Sequence, residues 1–185
     1  MPIPALELTG ILPPLTGEGA SASGFSPYKC SVLELCQRFG STPARRAILN
    51  GFMNFRRECR THGRSGYQWV AGSMLEDIET MEGREPNDID VMTFLAKPDT
   101  PSDLAQLKQS QPHLFVRDQS KQRYQVDPIA LPLRSPASTI VPTVRYYYAL
   151  YTHRRGRVWK GILQVELEAG GDDSEARNLL AAVQS

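Results

Sequence analysis

Asp88 and Asp90 stand two residues apart in the run Asn87-Asp88-Ile89-Asp90-Val91-Met92-Thr93-Phe94, whose β-branched and aromatic residues predict a strand. Side chains alternate across a strand, so both carboxylates are expected on one face, with Ile89 and Val91 on the other. Two carboxylates held together repel and raise each other's pKa unless a cation sits between them. A hard divalent ion such as Mg²⁺ takes oxygen ligands of this kind and commonly keeps water and phosphate oxygens as its other ligands. Upstream, Trp69-Val70-Ala71-Gly72-Ser73 predicts a strand ending in a Gly-Ser turn. Such a turn, leading into a helix, offers backbone N–H groups and a hydroxyl to a phosphate. A third carboxylate, Asp127, lies in Tyr124-Gln125-Val126-Asp127-Pro128-Ile129, within a further predicted strand. If that strand neighbours the one carrying Asp88 and Asp90, three carboxylates converge on one patch and the pattern describes a metal–nucleotide site.

The elements that must position these residues are legible in part. Residues 1–28 are rich in Gly, Pro and Ser and predict an extended arm over the domain, followed by a single domain over residues 29–185. A first helix is expected from Ser31, where Ser31-Val32-Leu33-Glu34 fits a capping box, to Gly40. A second opens on Thr42 as N-cap with Pro43 at its first position and runs to about Gly63. Its apolar stripe is Ile48, Leu49, Phe52 and Phe55, while Arg45, Arg46, Arg56 and Arg57 are assigned to its polar face. Next come a strand over Tyr67–Ala71, a short helix near Leu75–Glu82, and a strand over Asp88–Leu95. Ser102 can cap a helix over Asp103–Gln109, and a strand over Tyr124–Leu131 is closed by Pro132. Pro142 is expected to start a helix to Tyr151, Arg157–Leu167 to form a late strand, and Ser174 to cap a terminal helix through Ala182. Helices alternating with strands predict an α/β or α+β domain, a mixed sheet flanked by helices.

Composition excludes several classes. With 185 residues, the chain is long enough for a sizeable core. The 21 Lys+Arg against 20 Asp+Glu give no global basic field for nonspecific nucleic-acid binding. No run approaches the roughly 20 apolar residues of a spanning helix, and Met1-Pro2-Ile3-Pro4 lacks the features of a signal peptide. Cys30, Cys36 and Cys59 have no CxxC spacing and are expected as reduced core thiols in a cytoplasmic setting. His62, His113 and His153 are too scattered for a metal spacing, and neither a Walker-type loop nor GxGxxG is present.

The order Gly72-Ser73, then Asp88-x-Asp90 on a strand, then Asp127 on a later strand resembles the DNA polymerase beta-like nucleotidyltransferase superfamily, above all its small stand-alone bacterial members. The resemblance covers roughly residues 67–131 and implies the polymerase beta-like nucleotidyltransferase fold. It implies that Gly72 and Ser73 grip a triphosphate, and that Asp88 and Asp90 hold two Mg²⁺ (or Mn²⁺) ions. Asp127 would help bind the catalytic metal and activate the attacking hydroxyl. The reaction implied is transfer of a nucleotide from a nucleoside triphosphate to a hydroxyl of RNA, tRNA, a protein or a small molecule, with pyrophosphate leaving. By analogy, toxin–antitoxin and phage-defence systems are the expected settings, with a partner protein or homo-oligomer completing the acceptor site and no membrane involved. The rival from another class is a noncatalytic nucleotidyltransferase-like module that binds nucleotide or a partner protein. A cyclic-oligonucleotide synthase is the third reading.

The densest basic cluster is His153-Arg154-Arg155-Gly156-Arg157, followed by Trp159-Lys160. Arg154, Arg155 and Lys160 are candidates to hold phosphates; the same charges also suit a solvated turn. Trp159 can serve as a stacking platform, but is assigned to the core. Lys121 and Arg123, next to the strand of Asp127, are weaker candidates of the same kind. The acidic run Glu76, Asp77, Glu79, Glu82 and Glu85 is expected to be a solvated face, and Tyr146-Tyr147-Tyr148 to pack a helix.

Overall fold

Ser31 accepts from the backbone N–H of Glu34 while the Glu34 carboxylate accepts from that of Ser31, and this reciprocal cap opens α1 (Val32–Phe39). The Thr42 hydroxyl caps α2 (Pro43–Thr61) by accepting from the Arg45 backbone N–H, with Pro43 supplying the first helical φ. These elements belong to a computed structural model that describes residues 3–17, 24–62, 64–97, 100–154, 156–168 and 172–182. Gly63 and Arg155 lie outside the described residues.

Five strands form one mixed sheet: β1 (Tyr28–Lys29), β2 (Ser65–Ala71), β3 (Ile89–Lys97), β4 (Val126–Pro132) and β5 (Leu163–Glu166), in the order β1-β5-β2-β3-β4. β2 runs antiparallel to β3 and β5, while β4 is parallel to β3 and β1 to β5. β4 tolerates Pro128 and Pro132 because it is an edge strand, where a missing N–H costs no ladder bond on the open side. The parallel β3–β4 connection needs a long crossover, supplied here by α4 (Pro101–Ser110) and α5 (Arg117–Tyr124). α3 (Ile78–Glu82) joins β2 to β3; α6 (Ala137–Tyr151) and α7 (Asp172–Ala182) follow β4 and β5. Among the described residues no helix is long and apolar enough to cross a membrane.

The sheet has two different faces. Val70, Ile89, Val91, Val126, Leu163 and Val165 join the main core beneath α1, α2 and α7, with Leu35, Phe39, Leu49, Phe52 and Phe55. The alternate residues Trp69, Ala71, Met92, Phe94 and Leu131 form a second cluster against Tyr147, Tyr148 and Tyr151 of α6. Strand alternation puts Asp90 and Asp127 on this second face, beside the apolar patch that α6 covers. The described part of the N-terminal arm folds back on itself through a single antiparallel bridge between Leu15 and Phe25, and its Leu12 is buried in the main core with Tyr28 of β1.

Several elements differ from the sequence expectation. The segment after Ser73 is a 3₁₀ turn (Ser73–Leu75) followed by the five-residue α3, rather than one helix. Thr100, not Ser102, caps α4. Tyr124 ends a helix instead of starting a strand. α6 begins five residues before Pro142, which sits exposed inside it. Only Leu163–Glu166 of the late segment is strand; the stretch before it holds a single bridge between His153 and Trp159. Arg45, Arg46 and Arg56 are buried, so only Arg57 of the four lies on an exposed helix face. Arg56 donates to Gln68 Oε1 at 2.8 Å and to the Glu166 carbonyl at 2.7 Å, anchoring α2 to β2 and β5. Asp173 Oδ1 lies 3.5 Å from the same guanidinium and offsets the cost of burying its charge, a pairing that local sequence pattern does not reveal. Cys36 and Cys59 are buried, Cys30 partly so, all three are free, and burial pushes their thiols up to about 12.

Candidate active site

β3 and β4 bring two carboxylates into direct register, with Asp90 opposite Asp127 across the parallel pair. On the other side of β3, Ala71 is opposite Asp90, so Gly72 and Ser73 leave the sheet beside that carboxylate. Asp88 immediately precedes β3. Gly72, Ser73, Asp88, Asp90 and Asp127 all line one cleft of about 650 Å³. The condition set by the sequence is met: the third strand is the neighbour of the second, and the three carboxylates share one site.

Gly72 carries a constraint of its own. Its φ of +91° is left-handed, and an added Cβ would come within 2.6 Å of Asp90 Oδ2. Glycine at this position therefore lets the turn pass directly against the carboxylate.

The charges are arranged as pairs. Lys121 Nζ lies 2.6 Å from Asp88 Oδ2 and 3.0 Å from Asp127 Oδ2, and Arg117 Nη2 lies 2.8 Å from the same Asp127 oxygen. Arg117 and Lys121 are four residues apart on α5, on one face of the helix. Among the described residues no cation pairs directly with Asp90. Burial first, then the Asp88 and Asp127 charges, raise its pKa to about 6 against the weaker pull of Lys160 and Lys121. For Lys121, partial burial works to lower the pKa, and the hydrogen bonds to Asp88 and Asp127 outweigh it, raising the net value. The Tyr151 phenol, on the cleft wall, is raised by burial and by the nearby carboxylates, so it stays protonated. Among the described residues no group of three or more His, Cys, Asp or Glu side chains forms a ready-made metal cage.

The far wall is built on Glu76. This residue is 3% exposed and pairs with Lys160, itself 5% exposed, and with Arg154, whose Nε lies 3.2 Å from Glu76 Oε2. Lys160 Nζ also donates to the Gly72 carbonyl at 3.3 Å, so its charge braces the Gly-Ser turn from behind. Arg154 reaches Glu82 as well. The acidic run is a solvated face only in part: Glu82 and Glu85 are exposed, but buried Glu76 holds two cations of the cleft wall, and the Arg45 guanidinium holds Glu79 down to about 2. Trp159 is not core; it is 42% exposed, on a strand-like stretch bridged to His153. Arg154 and Lys160 do line the cleft, whereas Arg123 turns away to Glu58. Tyr147 and Tyr148 pack as expected of a helix face, while Tyr146 is exposed.

Sequence reasoning does not assign Arg117 or Glu76 to the site and ranks Lys121 low. The i, i+4 spacing of two cations just ahead of the Asp127 strand is the signal that could find the first pair. Glu76 gives no local signal, since its partner is 84 residues away.

Residues 4–166 match the model of a family of unknown function, DUF6932, and the chain belongs to that family. No curated protein and no solved structure gives a significant match.

Proposed function

For this member of a family without an assigned activity, we propose a divalent-metal-dependent nucleotidyltransferase that moves a nucleotide from a nucleoside triphosphate to a hydroxyl acceptor. The observation that carries the reading is the register: Asp90 faces Asp127 on one side, and Ala71, just before Gly72-Ser73, on the other. The donor set suits a hard divalent cation, being three carboxylates on one patch with Asp90 unpaired among the described residues. Asp88, Asp90 and Asp127 are the residues that would hold such ions. Bound there, divalent ions would supply charge neutralisation at the attacking and leaving oxygens.

The chain's own groups divide the remaining work. The Ser73 hydroxyl and the backbone of the Gly72-Ser73 turn bind phosphate oxygens, and Lys160 holds that turn in place through the Gly72 carbonyl. Arg154 offers its guanidinium to the phosphates from the Glu76 wall. Asp127 accepts the proton of the attacking hydroxyl as the new P–O bond forms at the α-phosphorus and the bond to pyrophosphate breaks. Positioning and charge complementarity supply most of the acceleration in this class of reaction. The acceptor approaches from the open side, where Arg117 is mostly exposed.

The noncatalytic rival draws on the ion pairs of Lys121 and Arg117, which neutralise two of the carboxylates in the free chain. Calorimetric titration with the four Mg²⁺-nucleoside triphosphates tests the site. Saturable binding of at least one is expected, weakened about tenfold or more by Asp88→Asn. Binding untouched by Asp88→Asn, or none with any triphosphate, removes the support for a metal–triphosphate site.

A further inference from the structure

We propose that Lys121 is a built-in counter-ion that holds the place of a divalent cation between Asp88 and Asp127 and swings away when that cation binds, an inference that rests on the cation-site reading of the carboxylates. Lys121 Nζ contacts the same two Oδ2 atoms that a shared metal would take, at 2.6 and 3.0 Å. A divalent cation held by those oxygens would stand against the ammonium, and two like charges at contact strongly repel. One must leave. The lysine is suited to do so, with a four-carbon stem that re-aims the charge without moving the backbone.

The helix itself is fixed. Tyr124 at the end of α5 donates from its hydroxyl to Glu58 of α2 at 2.6 Å. At Gly51, an added Cβ would meet the Tyr124 carbonyl at 2.0 Å, so α2 and α5 touch through backbone. The exchange therefore belongs to the side chain. Arg117 adds a second charge to Asp127 Oδ2 from one turn earlier on the same helix face. Once released, Lys121 faces a cleft in which Glu76 and Glu82 already hold Lys160, Arg154 and Arg84, and the substrate phosphates are the anions its charge can meet. Metal loading thus hands a cation to the triphosphate and couples the two binding events.

Wild type, Lys121→Met and Lys121→Arg, each titrated calorimetrically with MnCl₂ alone, test the exchange. Acylation of Lys121 by an activated ester, read by peptide mass spectrometry with and without Mn²⁺, follows the side chain directly in the wild-type protein. Lys121→Met is expected to bind Mn²⁺ about tenfold more tightly than wild type or better, because the competing charge is gone. Lys121→Arg is expected to stay within about threefold of wild type, because it keeps the charge. Wild-type Lys121 is expected to acylate several times faster at saturating Mn²⁺. Equal or weaker Mn²⁺ binding by Lys121→Met, or acylation unchanged by Mn²⁺, overturns the exchange and leaves the cation-site reading standing. Failure of all three chains to bind Mn²⁺ overturns both.

Discussion

Glu76→Ala is expected to destabilise the protein by about 3–5 kcal/mol, a loss of roughly 10 °C in melting temperature for a chain of this size. Glu76 is 3% exposed and holds both Lys160 and Arg154. Arg154 can fall back on Glu82, but Lys160 at 5% exposure keeps only the Gly72 carbonyl. A buried ammonium without its counter-charge is the costly species, not the absence of the pair. The paired replacement Glu76→Met with Lys160→Met should therefore recover most of the loss. Chemical denaturation of Glu76→Ala and of the double variant checks this. A double variant as unstable as Glu76→Ala would mean that the wall depends on something other than charge pairing.

Asp90→Asn should do the opposite in metal-free buffer. The folded chain raises the Asp90 pKa to about 6, above its ordinary value of 3.8, because burial and the neighbouring Asp88 and Asp127 disfavour its charge. The folded state then binds the proton more tightly than the unfolded state. The contribution of Asp90 to wild-type stability is accordingly full below pH 3.8 and is lost as pH rises from there through about 6, above which the folded carboxyl is ionised. The rise from 3.8 to about 6 corresponds to roughly 3 kcal/mol, an upper figure since Asp90 is only partly buried. Asp90→Asn has no charge to bury. With chelator present, the variant is expected to match wild type near pH 4 and to exceed it by up to about 3 kcal/mol at pH 8. Divalent cations should narrow or reverse the order by stabilising wild type, with all three carboxylates, more than the variant. Urea unfolding at the two pH values decides it; a variant less stable than wild type at pH 8 in chelator would contradict a strained carboxylate cluster.

The carboxylates are readable from the chain because Asp90 and Asp127 sit on strands with local signatures and Asp88 stands just ahead of one. Alternation in Trp69–Ala71 and Ile89–Phe94, the Ser31–Glu34 box and the Thr42-Pro43 start are all local patterns, and local patterns survive in sequence. The cations that complete the site are harder. Lys121 and Arg117 ride on α5, a polar helix that buries only Ser120 and Tyr124, so no apolar stripe announces it. The Pro142 expectation fails for a related reason. Proline favours a helix start, but Pro142 sits on the solvent side of α6, where a helix can carry one at the cost of a backbone hydrogen bond. Arg45, Arg56 and Glu76 look like surface charges because burial of a charge depends on partners that are remote in sequence. Those partners are Glu79 and the Met74 carbonyl for Arg45, the Glu166 carbonyl for Arg56, and Lys160 for Glu76. Residue type alone assigns Trp159 to the core, and a large aromatic beside a cleft is the case where that rule is weakest.

The most direct measurement for the central claim is transfer of label. Wild type and Asp90→Asn would each be incubated with the four α-phosphate-labelled nucleoside triphosphates, Mg²⁺ or Mn²⁺, and cell lysate with total RNA as acceptor. The carboxylate site predicts label joined to an acceptor by wild type in the presence of a divalent cation. It also predicts loss of that transfer by about a thousandfold or more in Asp90→Asn, which should remain folded. Transfer at equal rates by the two chains, or no triphosphate consumed by wild type under any of these conditions, would contradict it.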